Sequence, residues 1–173
     1  MSPPKVLIVG AGPTGLALAL WLARQGVAVR LIDRSSAPGT TSRALAVQAR
    51  TLELYQQLGL AAPIVVRGHR VPAVNLWVAG ERKARLPFDT VGGNLTRYAF
   101  LEIFPQDEHE RLLIERLSAF GVTVERCTEL TGFTEEGECI RAQLVGADGR
   151  EETCVVAYLA GCDGARSDRK SVV

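Results

Sequence analysis

The chain has 173 residues, 47% of them hydrophobic, which is enough apolar content for one ordinary domain with a real core. Its 20 Lys and Arg nearly cancel its 19 Asp and Glu, and no basic block or aromatic-interleaved patch is present to neutralise a row of phosphates, so nucleic acid is excluded as a partner. The longest apolar-rich segment, GLALALWLA, is too short to span a bilayer, and MSPPKVLIV lacks the layout of an export signal; the reading is therefore a cytoplasmic protein with no membrane partner.

KVLIVG is a short β-branched run ending in glycine, the pattern of a strand buried on both faces. TGLALALWLARQG follows as a helix closed by Gly26, and VAVRLID as a second buried strand, so the three make a right-handed strand, helix, strand unit. After Asp33 comes the polar loop RSSAPGTTSRA, then a helical segment around ARTLELYQQLGL with Leu52, Tyr55 and Leu58 on one face and Gly59 as its stop. From about Val71, VPAVNLWV, AGER and KARLPF predict two strands joined by a tight turn, an antiparallel excursion from the parallel sheet. DEHERLLIERLSAFG restores helical spacing, with Leu112, Leu113, Leu117 and Phe120 toward the core and Gly121 as cap. VTVER completes a second crossover. ELTGFTEE, CIRAQLVG and EETCVVAYLAG read as a meander whose last turn is Asp148-Gly149 and whose final strand returns to the central sheet.

Between the first strand and the first helix stands GAGPTG, with glycines at 10, 12 and 15. In such a turn the first glycine permits the tight bend, the second lets backbone approach a pyrophosphate, and the third lets helix pack on strand; the helix N-terminus then offers unpaired N–H groups to the anion. Asp33 ends the second strand, where a carboxylate can accept hydrogen bonds from an adenosine ribose. Together these residues predict a dinucleotide site. Asp33 disfavours a 2′-phosphate, an effect tempered by Arg34, so NAD and FAD both remain open on this unit alone. Cys127, Cys139, Cys154 and Cys162 contain no C-x-x-C pair and read as reduced packing residues rather than a metal site. His69 and His109 lack a paired acid and read as surface residues, and Trp21 and Trp77 as core or half-core aromatics.

GAGPTGLALALWLARQGVAVRLIDR, SRALAVQARTLELYQQLGL, FPQDEHERLLIERL and YLAGCDGARS occur in the order and approximate spacing of the FAD-dependent aromatic hydroxylases, and the chain resembles that family of single-component flavoprotein monooxygenases over nearly its whole length. The resemblance implies a glutathione-reductase-like, FAD-binding Rossmann fold of the α/β class, a parallel sheet with a β-meander, together with the start of an antiparallel substrate-domain excursion. It implies an FAD-binding part over residues 1–70, a partial substrate domain over 71–100, and the FAD-binding part resumed over 101–173. It also implies FAD as cofactor, NAD(P)H as reductant, and hydroxylation of a phenolic or polyketide-like small molecule by O₂ through a C4a-hydroperoxyflavin. RYAFLEIFPQ leans toward the polyketide branch. By the resemblance, Gly10, Ala11, Gly12, Pro13, Thr14 and Gly15 meet the FAD pyrophosphate, and Asp33 the adenosine ribose, with Arg34 beside the adenine end. Arg43 meets the cofactor near its phosphates and ribityl chain, Gln106 hydrogen-bonds the ribose or ribityl hydroxyls, Leu130 offers backbone to the adenine, and Asp163 and Gly164 form a second contact near the diphosphate. No catalytic residue is assigned, because the flavin carries the bond chemistry.

The family's second FAD motif is built on Gly-Asp, and that dipeptide occurs nowhere in the 173 residues; the tail RSDRKSVV also departs from the family's pattern. The fold is therefore expected to be truncated, the isolated chain to bind FAD weakly, and hydroxylation to be absent. A homo-oligomer, or a chain supplying the missing C-terminal half, are the protein partners left open. The alternatives are a non-catalytic dinucleotide-binding remnant and an NAD-dependent dehydrogenase; the latter leaves Arg43, Gln106 and Asp163 without a role.

Overall fold

Val6–Val9, four apolar residues in a row with no polar alternation, are all buried and form β1, an inner strand of a parallel sheet. The computed structural model describes residues 4–39, 46–88 and 94–164, and the chain divides into two compact units, 1–40 together with 110–173, and 41–109. In the first unit β1 leads through α1 (Pro13–Arg24) to β2 (Val29–Asp33), and the strands pair in parallel with Val6 opposite Val29 and Val9 opposite Ile32. Pro13 stands in the first turn of α1, where a missing N–H is no loss, and Gly26 ends the helix at φ +75°. Leu16, Ala19 and Leu20 form the buried stripe of α1, which packs on these two strands.

The second unit holds β3 (Ala46–Val47), α2 (Ala49–Gln57), α3 (Ala61–Arg67), β4 (His69–Val71), β5 (Ala73–Val78), β6 (Glu81–Pro87) and β7 (Leu101–Ile103). Leu52, Tyr55 and Leu58 are buried as their spacing predicts. The helix α3 is not legible in AAPIVVR, because Ile64-Val65-Val66 carries strand preference; Pro63 in the first turn nevertheless tolerates a helix, and burial of Ile64 decides it. Strands β5 and β6 form the expected hairpin, closed by Ala79 and Gly80 at φ +50° and +80°. Trp77 departs from the expectation. It is 61% exposed, because its hairpin pairs with no third strand among the described residues. In the separate antiparallel sheet β3-β7-β4, Glu102 of β7 is fully buried, and burial raises its carboxyl above the usual range.

Helix α4 (Gln106–Ser118) starts in the second unit, and its residues from Glu110 onward belong to the first. Leu112, Leu113 and Leu117 are buried, whereas Phe120 is largely exposed, because the helix has ended at Ser118 and the apolar stripe no longer extends to it. Strand β8 (Val124–Arg126) then pairs in parallel with β2, and β9 (Glu129–Glu136), β10 (Cys139–Val145) and β11 (Glu151–Val156) form the antiparallel meander. The segment EETCVVAYLAG, which reads as one strand, is two. It breaks at Ala157, where the N–H groups of Ala157 and Tyr158 both donate to the Lys5 carbonyl, and continues as β12 (Tyr158–Gly161) parallel to β1. A ladder to β10 and a ladder to β1 lie in different sheets, so the chain must bend between them. The parallel sheet has the order β12-β1-β2-β8. Leu7, Val9 and Ile32 from that sheet share one core with Leu130, Ala142, Leu144, Cys154 and Val156 from the meander. No described helix is long and apolar enough to cross a membrane.

Candidate functional site

Gly10 takes φ +107°, a conformation closed to most L-residues, and its N–H donates to the Ile32 carbonyl at 2.8 Å. A Cβ there would press on the Cys162 carbonyl and lie 2.8 Å from Asp163 Cα, and a Cβ at Gly15 would enter the Gly10 carbonyl oxygen. These two glycines let three backbone segments touch. Gly12 differs, since apart from its own chain neighbours no heavy atom of the described residues lies within 4 Å of its Cβ position. Gly12 also precedes α1, whose first turn has no side-chain cap and no acidic residue, so the positive end of the helix is offered to an external anion.

Asp33 stands beside this turn. Its Oδ2 accepts the Ala11 N–H at 2.7 Å and its Oδ1 the Ser35 N–H at 2.8 Å, which leaves further lone pairs for the hydroxyls of a ligand. Arg34 is exposed at the start of the following loop. Arg126 escaped the sequence reading; it ends β8 directly opposite Asp33, with Nη1 3.9 Å from Oδ1. The available signal was a basic residue at the carboxyl end of the strand that follows the second crossover.

The Cys162 N–H donates to the Val9 carbonyl at 2.7 Å, which seats Asp163 and Gly164 beside Gly10, with Gly164 at φ +92°. Gly10 to Gly15, Asp33 and Asp163 are thus gathered at the carboxyl ends of β1, β2 and β12, the crevice where open α/β sheets take ligands. Burial, and then the Asp163 carboxylate, push the Cys162 thiol up, which keeps it protonated and poorly nucleophilic. Leu130 places its side chain in the core between sheet and meander, so only its backbone is available to a ligand. Gln106 is the first residue of α4 and belongs to the second unit. Arg43 lies outside the described residues. Open space at Gly12, an uncapped helix end and an adjacent carboxylate fit the diphosphate and ribose of a dinucleotide.

His109 is not a surface residue. It is 8% exposed in the second unit, its Nε2 lies 3.0 Å from the Tyr55 hydroxyl, and its ring meets those of Tyr55 and Phe104. A histidine flanked by apolar residues on α4 carries no sequence mark that separates it from an exposed one. Burial lowers its pKa from 6.5 to about 4, and burial raises that of Tyr55 to about 12, so the phenol donates and a neutral imidazole accepts. The sign follows: below pH 6.5 the unfolded chain takes a proton that the folded chain refuses. Stability should therefore fall between pH 6.5 and 4, by about 3 kcal/mol. Urea midpoints across that window should show the slope, and His109→Gln, which cannot titrate, should flatten it; an unchanged slope in the variant would contradict the assignment.

Among the described residues no group of three or more His, Cys, Asp or Glu could hold a metal ion, and the four cysteines are free. A family model described as an FAD binding domain matches residues 4–172. The chain is 46% identical over 165 residues to 6-methylpretetramide 4-monooxygenase of Streptomyces rimosus, covering 95% of itself and 29% of that protein. It is 36% identical over 164 residues to pentachlorophenol 4-monooxygenase of Sphingobium chlorophenolicum, covering 94% of itself and 30% of that protein. It therefore spans less than a third of the length of either. Among solved structures, aklavinone-11 hydroxylase in ternary complex with FAD and aklavinone superposes with a TM-score of 0.84 at 31% identity, over 99% of this chain and 35% of that one. A p-nitrophenol 4-monooxygenase from Pseudomonas putida shares the fold, with a TM-score of 0.90 at 24% identity over 97% and 42% of the two chains.

Proposed function

The chain belongs to the FAD binding domain family, and from that premise we propose that it holds the ADP half of FAD within an NAD(P)H-dependent monooxygenase that hydroxylates a phenolic or polyketide-like aromatic molecule. The observation that carries the reading is the open volume at Gly12 between the uncapped end of α1 and Asp33. When bound, FAD supplies the redox and oxygen chemistry, and the protein's residues bind and orient. The backbone from Gly10 to Gly15 takes the diphosphate, with Asp163 and Gly164 as its second border. Asp33 accepts the ribose hydroxyls, Arg34 stands at the adenine end, and the Leu130 backbone meets the adenine. On the resemblance alone, Arg43 is assigned to the phosphates and ribityl chain and Gln106 to the ribose or ribityl hydroxyls.

Residues 71–100 contribute one edge of a substrate domain, flanked by the cofactor-binding parts at 1–70 and 101–173. Val74 and Leu86 face each other across the β5–β6 hairpin, both exposed, and Leu76 is exposed beside them. That strip suits cover by further polypeptide. Excess FAD should give the purified chain a visible flavin spectrum that fades on dialysis, with no phenol-dependent oxidation of NADPH. A chain that prefers NAD and shows no flavin spectrum would sink the cofactor assignment; one that stays yellow and hydroxylates a phenol would sink the expectation of weak binding and inactivity in isolation.

A further inference from the structure

The geometry points to Arg126 as a further residue of the cofactor site: its guanidinium is the charge partner of Asp33, and the part of its side chain that solvent reaches meets the adenosine of the bound dinucleotide. The inference rests on the FAD reading above. A guanidinium carries five N–H donors, and in this unit a second arginine shows what a purely structural one looks like. Arg30 of β2 is saturated by two carboxylates: Nε and Nη2 donate to Glu125 at 2.7–3.1 Å, and Nη1 and Nη2 donate to Glu152 at 2.6 and 2.8 Å.

Arg126, next to that strand on β8, is treated differently. Among the described residues its Nη1 reaches only the Ala37 carbonyl, at 3.5 Å, and Asp33 stands 3.9 Å away, beyond hydrogen-bond range. Its Nη2 is buried and has no acceptor among the described residues. Asp33 does not swing across to close the pair, because its two oxygens are already held by the N–H groups of Ala11 and Ser35. Thr128 and Cys127 tie the chain after Arg126 to the Asp33 and Ser35 carbonyls, at 3.0 and 3.3 Å, and so fix the arginine's backbone beside the acid.

A sheltered cation with so few acceptors among the described residues is destabilising on its own account; Nη2 is closed to water and ligand alike, and the exposed fifth of the side chain is what a ligand can meet. The position is right for a ligand, at the carboxyl ends of β2 and β8 beside the glycine turn. Adenosine suits that exposed part, since its ribose oxygens and ring nitrogens accept, and its ring can stack on a planar guanidinium. The cation also offsets the Asp33 charge, which otherwise opposes the approach of a diphosphate.

The test uses the full chain, with dissociation constants for FAD from flavin fluorescence and for ADP from calorimetry, and the urea midpoint of the ligand-free protein. Arg126→Met should weaken both ligands about tenfold or more, while the midpoint stays level or rises, because a hydrophobe replaces an under-satisfied charge. Arg126→Lys, which keeps the charge and loses the fork, should fall between. FAD and ADP affinities equal to wild type in Arg126→Met would overturn the inference. So would affinity losses accompanied by a lower midpoint in both variants, the mark of a structural role. A wild-type chain that takes up neither ligand would instead fail the FAD reading, and the inference with it.

Discussion

Gly15→Ala is expected to unfold the first unit, whereas Gly12→Ala should leave it folded and deprive it of FAD. At Gly15 the added methyl would enter the Gly10 carbonyl oxygen and come within 3.2 Å of Cys162 Cβ. Neither neighbour is free to retreat, because the Gly10 N–H is bonded to Ile32 and the Cys162 N–H to Val9. A backbone clash at the junction of a helix and two strands costs about 4 kcal/mol or more, a large share of the roughly 5–15 kcal/mol that holds a domain together. Gly10→Ala should match it, with the added penalty of φ +107°. Gly12 has φ −76°, ψ 179°, which alanine adopts readily, and open space where its methyl would sit. That space is the proposed seat of the diphosphate, so the methyl should weaken FAD by about two orders of magnitude with little change in stability. Urea melts followed by circular dichroism, and flavin fluorescence titrations, separate the two outcomes. A Gly12→Ala protein that binds FAD as well as wild type would remove the glycine turn from the cofactor site.

Asp33→Ala should lower both stability and cofactor affinity. The carboxylate accepts two backbone N–H groups, and the Ala11 N–H belongs to a residue only 1% exposed, so truncation leaves a sheltered donor without its acceptor. About 2–3 kcal/mol of stability should go with it, since hydrogen bonds to a charged acceptor are the stronger kind. The same change removes the acceptor proposed for the ribose, and FAD should weaken about a hundredfold as the Gly10–Ala11–Gly12 backbone loses its anchor. Asp33→Asn should fall between, because its amide oxygen serves one N–H while its NH₂ opposes the other. Equal urea midpoints for wild type and Asp33→Ala would contradict the two hydrogen bonds; equal FAD affinities would contradict the ribose assignment.

The apolar run VLIV, the strand pattern of VAVRLID, the glycine spacing of GAGPTG, and Asp33 at a strand end determine on their own a parallel pair with an anion-binding turn between its strands. Each rests on local stereochemistry, which a sequence records directly. Tertiary contact decided the rest. Whether AAPIVVR coils depended on burial of Ile64, and where EETCVVAYLAG bends depended on which ladder each half could join. His109 left the surface because Tyr55, distant in the chain, supplied a hydroxyl for it. The same limit governed the site. Gly10 and Gly15 could be read as necessary from spacing, but their partner Cys162 lies some 150 residues further along the chain, and only packing shows that Gly12 is the glycine with room above it. Arg126 became visible beside Asp33 for the same reason, since parallel pairing of β2 with β8 is a long-range event that no local pattern of charge or hydrophobicity encodes.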